Sequence, residues 1–322
     1  MQLFKIRNMK IVYLDALTLG TTPLDEIRAL GTLTTYPNST REEALSRVGD
    51  CDVLMVNKVI VDDTLMQNAP KLKLICESAT GVNNIDLEAA ARRGIAVRNV
   101  AGYSTDAVVQ TTFTHLLSLA GNAPWLDDYV KSGSYSRSSI FTEVSHPSVE
   151  LAGKTIGVVG MGTIGSRVAA VAEAFGMKVV YYSTSGTSHN TRYPSMPLSE
   201  MLACADVVSI HAPLNERTRG LIGEKELSLM KPSAFLLNLG RGGIVDEAAL
   251  AKAVDGGTIA GAALDVFEHE PLAPDSPFLS LEHPERFRFS PHSAWASTVS
   301  LGRLVSMVAE NIRSFFAGTS AE

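Results

Sequence analysis

Residues 155–165 read TIGVVGMGTIG, an apolar run that ends in G-x-G-x-x-G. The run has the length of a buried strand. Behind the last glycine, Ile164, Val168, Val171, Ala172 and Phe175 recur at helical spacing. A strand, a glycine turn and a helix in that order form the phosphate-binding corner of a dinucleotide fold. In such a corner Gly160 permits the turn, Gly162 lets backbone N–H groups approach a pyrophosphate, and Gly165 allows close helix–strand packing. The helix start adds the positive end of its dipole. A bare glycine motif also serves ordinary tight turns, so the flanking strand and helix give it its weight.

Around this corner the pattern alternates. Before it come KIVYLD (10–15), DVLMVN (52–57), LKLICES (72–78) and IAVRNV (95–100), with helical stretches near 24–30, 41–48 and 85–93. After it come KVVYYS (178–183), DVVSIHA (206–212), AFLLNLG (234–240), IAGAALDVF (259–267) and RFRFSP (286–291), with helices near 197–204, 224–230 and 246–254. Strands alternating with helices imply parallel sheets, and two such series imply two doubly wound α/β domains. One long helical stretch starts at Ser104 and runs to about residue 131. The serine-rich residues 132–150 after it read as a junction. A closing helix from Ser297 to Phe316 places Val299, Leu304, Val305, Val308, Ile312 and Phe315 largely on one face.

Composition narrows the function classes. The 322 residues are 45% hydrophobic and 19% charged, with a formal net charge of -6 and no long run of like charge. That argues against a nucleic-acid surface. Cys51, Cys76 and Cys204 are odd in number and sit in or beside apolar runs, as reduced core thiols do, and their spacing suggests neither a disulfide framework nor a metal site. MQLFKIRNMK (1–10) lacks the apolar stretch of a signal peptide, and no segment is long and apolar enough for a membrane span, so a cytoplasmic protein is expected.

Half of the dinucleotide fingerprint is missing. An acidic residue is due about 20 positions after the glycines, to hold the adenosine ribose diol. No Asp or Glu occurs from 178 to 199. Ser183, Thr184 and Ser185 stand there instead. They can bond to ribose hydroxyls without repelling a 2′-phosphate, for which Arg192 and Lys178 are the cations at hand.

Ligands of open parallel sheets sit beyond the carboxyl ends of the strands, and three residues stand out there. Arg241 follows AFLLNLG, Glu270 follows ALDVFEH, and His292 follows RFRFSP. Reduction of a 2-oxo acid needs this set: a planar fork for the carboxylate or carbonyl oxygen, a protonated histidine to give the proton, and a carboxylate to keep that histidine charged. Each has a plain structural alternative, as a surface charge, a loop acid or a strand-end histidine. His115, His146, His189, His211, His269 and His283 are weaker candidates, and of these His211 follows a strand at the cofactor edge.

The motifs ELAGKTIGVVGMGTIG (150–165), HAPLNERTRGLI (211–222), LLNLGRGGIVDEAAL (236–250), AGAALDVFEHEP (260–271) and SPHSAW (290–295) resemble those of the D-isomer-specific 2-hydroxyacid dehydrogenases. ATGVNNIDLEAAARRGIAVRNVAGYSTDAV (79–108) carries the likeness into the first series. The resemblance implies a Rossmann-type nucleotide domain, residues 104–290, inserted into a flavodoxin-like substrate domain made of 1–103 and 291–322. It also implies a homodimer formed mainly through the nucleotide domains. It implies Arg241 as substrate anchor, His292 as acid/base and Glu270 as its partner. Gly160, Gly162, Thr163, Ile164, Gly165, Ser183, Thr184, His211, Ala212, Pro213, Leu239, Gly240 and Asp265 would hold the coenzyme, with Asp265 facing the nicotinamide carboxamide. Asn57, Thr80, Gly81 and Trp295 would join Arg241 on the substrate side.

Within the family the likeness is to glycerate dehydrogenases, or hydroxypyruvate reductases, carried by VNK (56–58), ATGVNNID (79–86), VKSGSYSRS (130–138) and HSAWAS (292–297). The expected activity is hydride transfer between a nicotinamide cofactor and hydroxypyruvate or D-glycerate, with NAD(H) favoured and NADP(H) left open by the missing acid. The alternatives are another 2-oxo acid (phosphorylated, lactate-type or branched) and a dinucleotide-sensing binding protein like the corepressors that resemble these enzymes.

Overall fold

The computed structural model describes residues 9–187 and 190–318, so His189 lies outside the described residues. The chain divides into two compact units, residues 1–104 with 296–322 and residues 105–295.

Unit one holds β1 (Lys10–Tyr13), α1 (Asp25–Arg28), β2 (Thr32–Thr35), α2 (Arg41–Val48), β3 (Val53–Val56), α3 (Asp63–Gln67), β4 (Leu74–Glu77), α4 (Leu87–Arg92) and β5 (Ala96–Arg98). Its five strands pair in parallel in the order β2-β1-β3-β4-β5. β3 and β4 are buried along their whole length, as parallel strands covered on both faces must be. The helix starts are written into the sequence: Thr40 and Glu43 form a reciprocal capping box on α2, and Asp62 and Asp86 cap α3 and α4.

Unit two holds α5 (Thr105–Ala120), α6 (Ala123–Lys131), β6 (Thr155–Val159), α7 (Thr163–Ala174), β7 (Lys178–Tyr182), α8 (Leu198–Cys204), β8 (Val207–Ile210), α9 (Glu224–Ser228), β9 (Phe235–Asn238), α10 (Glu247–Asp255), β10 (Gly261–Leu264) and β11 (Phe287–Phe289). The sheet runs β11-β10-β9-β8-β6-β7, all parallel. One face packs on Met201, Leu202, Leu227 and Leu250 of α8, α9 and α10. The other packs on Val109, Phe113 and Leu116 of α5 and Val168, Ala169 and Ala172 of α7. In both sheets the direction of winding reverses beside the first strand, between β1 and β3 and between β6 and β8.

The closing helix, α11 (Thr298–Gly318), belongs to unit one and packs on α1 and β4. Leu304, Val305, Val308 and Ile312 are buried, but Val299 is 66% exposed, so the apolar face starts later than expected. Two further expectations need correction, and two elements were missed. The helical stretch from 104 is two helices, because Asn122 adopts a left-handed φ of 51° that ends one and starts the next. Residues 132–150 lie inside unit two, and the first junction falls at Ser104/Thr105. β2 and α3 escape a periodicity reading because β2 is a half-exposed edge strand, TLTT, and α3 is only five residues long.

Unit two ends at Trp295, beyond the expected limit at residue 290, because the N–H groups of Ser293 and Ala294 are bonded to Asp265 of the same unit.

At the glycine corner a Cβ on Gly165 would overlap the Gly160 carbonyl oxygen and crowd Val158 Cγ1 at 3.1 Å. Backbone cannot yield there as a flexible side chain could. Gly165→Ala should therefore destabilise the protein by about 1–3 kcal/mol, as overpacking does, read as a lower urea midpoint at unchanged slope.

Candidate active site

β9, β10 and β11 are neighbours in the sheet, so the residues that follow them share one edge. The turn after β9 is set by Asn238, which is 1% exposed: its Oδ1 accepts from the Gly240 N–H at 3.1 Å and its Nδ2 donates to the Arg241 carbonyl at 3.0 Å. Arg241 is exposed, and its guanidinium donates to the Gly240 carbonyl at 2.8 Å. A Cβ on Gly242 would overlap the Phe267 carbonyl oxygen, so the turns after β9 and β10 touch backbone to backbone.

Glu270 closes the turn after β10 by accepting from the Phe267 N–H at 3.0 Å. Its other oxygen lies 2.6 Å from Nδ1 of His292, at the short end for a charge-assisted bond. With Nδ1 facing the carboxylate, Nε2 is the ring nitrogen turned to other partners. His292 has a left-handed φ of 50°, which costs a side chain about 1–2 kcal/mol. Three bonds hold it there. Its N–H donates to the Asp265 carbonyl at 2.7 Å and to the Ser290 carbonyl at 3.0 Å, and its carbonyl accepts from Trp295 Nε1 at 2.8 Å. Trp295 also packs on the core of unit two, so its contact with His292 is a positioning one.

Asp265 is 2% exposed and is the hub of this turn. Its Oδ1 accepts from Ser290 Oγ at 2.6 Å and from the Ser293 and Ala294 N–H groups at 2.9 and 3.0 Å. Ser290 in turn meets Nε2 of His115 at 2.9 Å, and burial holds that ring below the usual histidine range. Asn238 and Ser290 were not singled out in the sequence, since nothing in their spacing separates them from ordinary polar residues, and His115, a weaker candidate there, is placed in this network.

Beyond β6, β7 and β8 lies a cavity of about 920 Å³ lined by Gly160, Gly162, Ser183, Thr184, Ser185, His211, Pro213, Glu216 and Arg217. Thr163, Ile164 and Gly165 build the first turn of α7, while Ala212 and Leu239 are buried and Gly240 packs against the Ala212 backbone. None of these six is among the residues that line the cavity. Three features fit a dinucleotide. The α7 start carries no side-chain cap, a Cβ at Gly162 would meet open space, and the buried Nδ1 of His211 has no partner among the described residues. Nε2 of His211 meets Ser209 Oγ at 2.8 Å, and burial pulls the ring down to about 3, so it is neutral at physiological pH.

The cations expected near Ser183 are elsewhere. Arg192 pairs with Glu173, and Lys178 begins β7 at the opposite end of that strand from Ser183. Arg217, missed in the sequence because its loop is distant in number, lines the cavity instead and donates to the Ser185 carbonyl at 2.7 Å.

In unit one, Asn57 is 4% exposed in the loop after β3. Thr80 and Gly81 lie in the loop after β4. Thr80 Oγ1 donates to the Val100 carbonyl at 3.0 Å and the Thr80 carbonyl accepts from Asn99 at 2.6 Å, which pins that loop.

A dinucleotide-type cavity and a carboxylate–histidine pair on one sheet define an oxidoreductase-like site, and comparison with known proteins makes it specific. Residues 113–294 match the family model described as D-isomer specific 2-hydroxyacid dehydrogenase, NAD binding domain. The chain is 41% identical over 287 residues to a glyoxylate reductase of Aeropyrum pernix, covering 86% of this chain and 83% of the relative. It is 32% identical over 320 residues to a hydroxypyruvate reductase of Blautia hydrogenotrophica, covering 97% and 98%. Among solved structures it is similar to a D-lactate dehydrogenase of Aquifex aeolicus complexed with NAD and lactic acid, at TM-score 0.83 and 28% identity over 96% of each chain. It is also similar to an NADPH-dependent glyoxylate/hydroxypyruvate reductase of Sinorhizobium meliloti in complex with NADP and malonate, at TM-score 0.79 and 28% identity over 96% and 94%. The chain belongs to the D-isomer specific 2-hydroxyacid dehydrogenases. It is a nicotinamide-dependent oxidoreductase of 2-hydroxy acids with two parallel-sheet domains, one of Rossmann type.

Proposed function

We propose that this dehydrogenase interconverts hydroxypyruvate and D-glycerate, with glyoxylate as the rival substrate. The observation that carries the reading is the 2.6 Å pair of Glu270 and His292 on the sheet that bears the dinucleotide cavity. The near-complete coverage of a relative named hydroxypyruvate reductase supports it. A pure dinucleotide sensor has less need of a histidine held in a costly backbone conformation and paired with a carboxylate.

When bound, the nicotinamide supplies or takes up the hydride. For reduction, imidazolium His292 gives its Nε2 proton to the carbonyl oxygen, while Glu270 holds the Nδ1–H and stabilises the ring's charge. In unit two Arg241 would offer its fork to the substrate carboxylate, and in unit one the substrate-binding residues on this reading are Asn57, Thr80 and Gly81. In the oxidative direction His292 takes the proton back. Gly160, Gly162 and the α7 start would hold the coenzyme's pyrophosphate, and Ser183 and Thr184 would bond to its adenosine ribose.

Among the described lining residues Arg217 is the one cation and Glu216 the one acid, so the cavity is not committed against a 2′-phosphate. Both coenzymes are accepted on this reading, with Arg217 as the group that serves NADPH. The working assembly is a homodimer. α6 buries none of its residues, although Trp125 and Tyr129 stack at 5.2 Å on it, and after it Phe141, Val144 and Ile140 are 89%, 69% and 56% exposed. Apolar area of that kind is what an obligate interface covers.

Initial rates with hydroxypyruvate, glyoxylate, pyruvate and a branched 2-oxo acid, each with NADH and NADPH, test the assignment. Hydroxypyruvate should give the highest kcat/KM, and no turnover with any of the four would overturn it. His292→Asn should lower kcat by about 10²–10⁴-fold and still bind coenzyme in a fluorescence titration. Arg217→Ala should lower kcat/KM with NADPH by about 10–100-fold, the worth of one charge-assisted bond, and change the NADH value only a few-fold. Light scattering should give twice the 34.4 kDa chain mass, and Phe141→Asp with Val144→Asp should shift it toward the monomer.

A further inference from the structure

Unit one carries buried polar groups that the proposed reaction does not use. Its sheet reverses winding between β1 and β3, and the crevice at such a reversal is where open parallel sheets hold ligands. Asp15 follows β1, residues 57–59 follow β3, and Glu77 closes β4. Asp15 is 2% exposed, and its carboxylate accepts the backbone N–H groups of Asn57, Lys58 and Val59 at 3.0, 2.6 and 2.9 Å.

Glu77 is fully buried. Its Oε2 accepts from Nδ2 of Asn84 at 2.9 Å, and the same amide donates to the Val59 carbonyl at 3.1 Å. The Asn84 carbonyl accepts from the Val61 N–H at 2.8 Å. Through one asparagine, Glu77 therefore ties the far end of the loop 78–84 to its own strand and to the loop after β3. The two carboxyl groups meet at the loop after β3, which Asp15 ties to the turn after β1 and Glu77, through Asn84, ties to the loop 78–84.

Asp15 receives three N–H groups, whereas Oε1 of Glu77 has no hydrogen-bond partner among the described residues. The titratable groups that face Glu77 are Tyr13 and Asp15 from β1 and its turn, Lys58 from the loop after β3, and Cys76 on its own strand. Burial above all pushes the Glu77 carboxyl up to about 8, with Asp15 adding to the rise and Asn84 and Lys58 opposing it.

We propose that Glu77, acting through Asn84, is the positioning residue of the 78–84 loop, and that a charge gained at Glu77 releases the loop and weakens 2-oxo-acid binding without altering the chemical step. The role rests on the reading that the loop backbone at Thr80 and Gly81 faces the substrate carboxylate. The neutral acid keeps its bond from Asn84 without a buried charge, whereas the anion places an unsolvated charge near Asp15 at a cost that the Asn84 bond offsets only in part. Weak binding thus sets in as pH rises through the Glu77 value and is absent below it.

The test compares wild type with Glu77→Gln, which stays neutral, between about pH 6 and about pH 9 at saturating coenzyme. Wild-type KM for the oxo acid should climb toward tenfold per pH unit above the Glu77 value, the limit for one proton. KM of Glu77→Gln should stay level, with kcat of the two proteins running parallel. Asn84→Ala, which cuts the tie by another route, should show a high KM at every pH. If the KM profiles of wild type and Glu77→Gln coincide, or if kcat alone separates them, the proposal falls.

Hydrogen exchange on the coenzyme-bound protein without oxo acid gives a second reading. The Val61 and Val100 amides, bonded to the carbonyls of Asn84 and Ala79, should lose protection above the Glu77 value in wild type and keep it in Glu77→Gln. Equal protection in both overturns the loop mechanism. Absence of turnover accompanied by this exchange difference is failure of the function reading, with the Glu77 device intact.

Discussion

Asp265 fixes a turn that would not otherwise hold its shape. Its buried carboxylate takes one hydroxyl and two backbone N–H groups from the residues that follow β11, and its carbonyl takes the N–H of His292. These bonds confine His292 to a left-handed backbone that a β-carbon disfavours, and in that conformation Nδ1 meets Glu270. Charge-assisted bonds to backbone N–H groups are among the stronger local restraints, enough to offset strain of about 1–2 kcal/mol. The arrangement converts a buried carboxylate just after β10 into the direction of an imidazole in the turn after the neighbouring strand.

The same economy of buried polar groups runs through both sheets. Asn238 sets the turn that carries Arg241, Asp15 ties the turn after β1 to that after β3, and Glu77 reaches across to Asn84. Each sits at the carboxyl edge of a parallel strand, where the last ladder bonds run out and backbone groups need side-chain partners. His211 is the exception, with one ring nitrogen bonded to Ser209 and the other without a partner among the described residues, held neutral by burial on the wall of the dinucleotide cavity. A neutral imidazole there can face a ligand without adding charge.

Much of this was legible in the residues. Strongly apolar runs such as TIGVV and FLLN gave the buried strands of unit two, and polar residues directly after them gave Arg241, Glu270 and His292. What escaped did so for physical reasons. β2 has the composition of an edge and no apolar run, and the helix break at Asn122 lies in GNAP (121–124), whose glycine and proline were overridden by the helical pattern on either side. Arg217 reaches Ser185 across a sequence gap that no local pattern spans, and Arg192, the nearer cation by number, is taken by Glu173. The burial of Glu77 could not be read from ICESATG, where a glutamate at a strand end looks like any solvated acid.

Return to the place where the turns after β9 and β10 touch, with Gly242 against the Phe267 carbonyl. No side chain fits between them, so neither turn can lengthen or exchange that glycine without parting the residues it carries. The reacting groups are thereby shielded from drift, while other loops stay at liberty to vary. Relatives named for glyoxylate and for hydroxypyruvate are what such a division would produce: one inherited chemistry, and a choice of acid that diverges through residues lying outside those two turns.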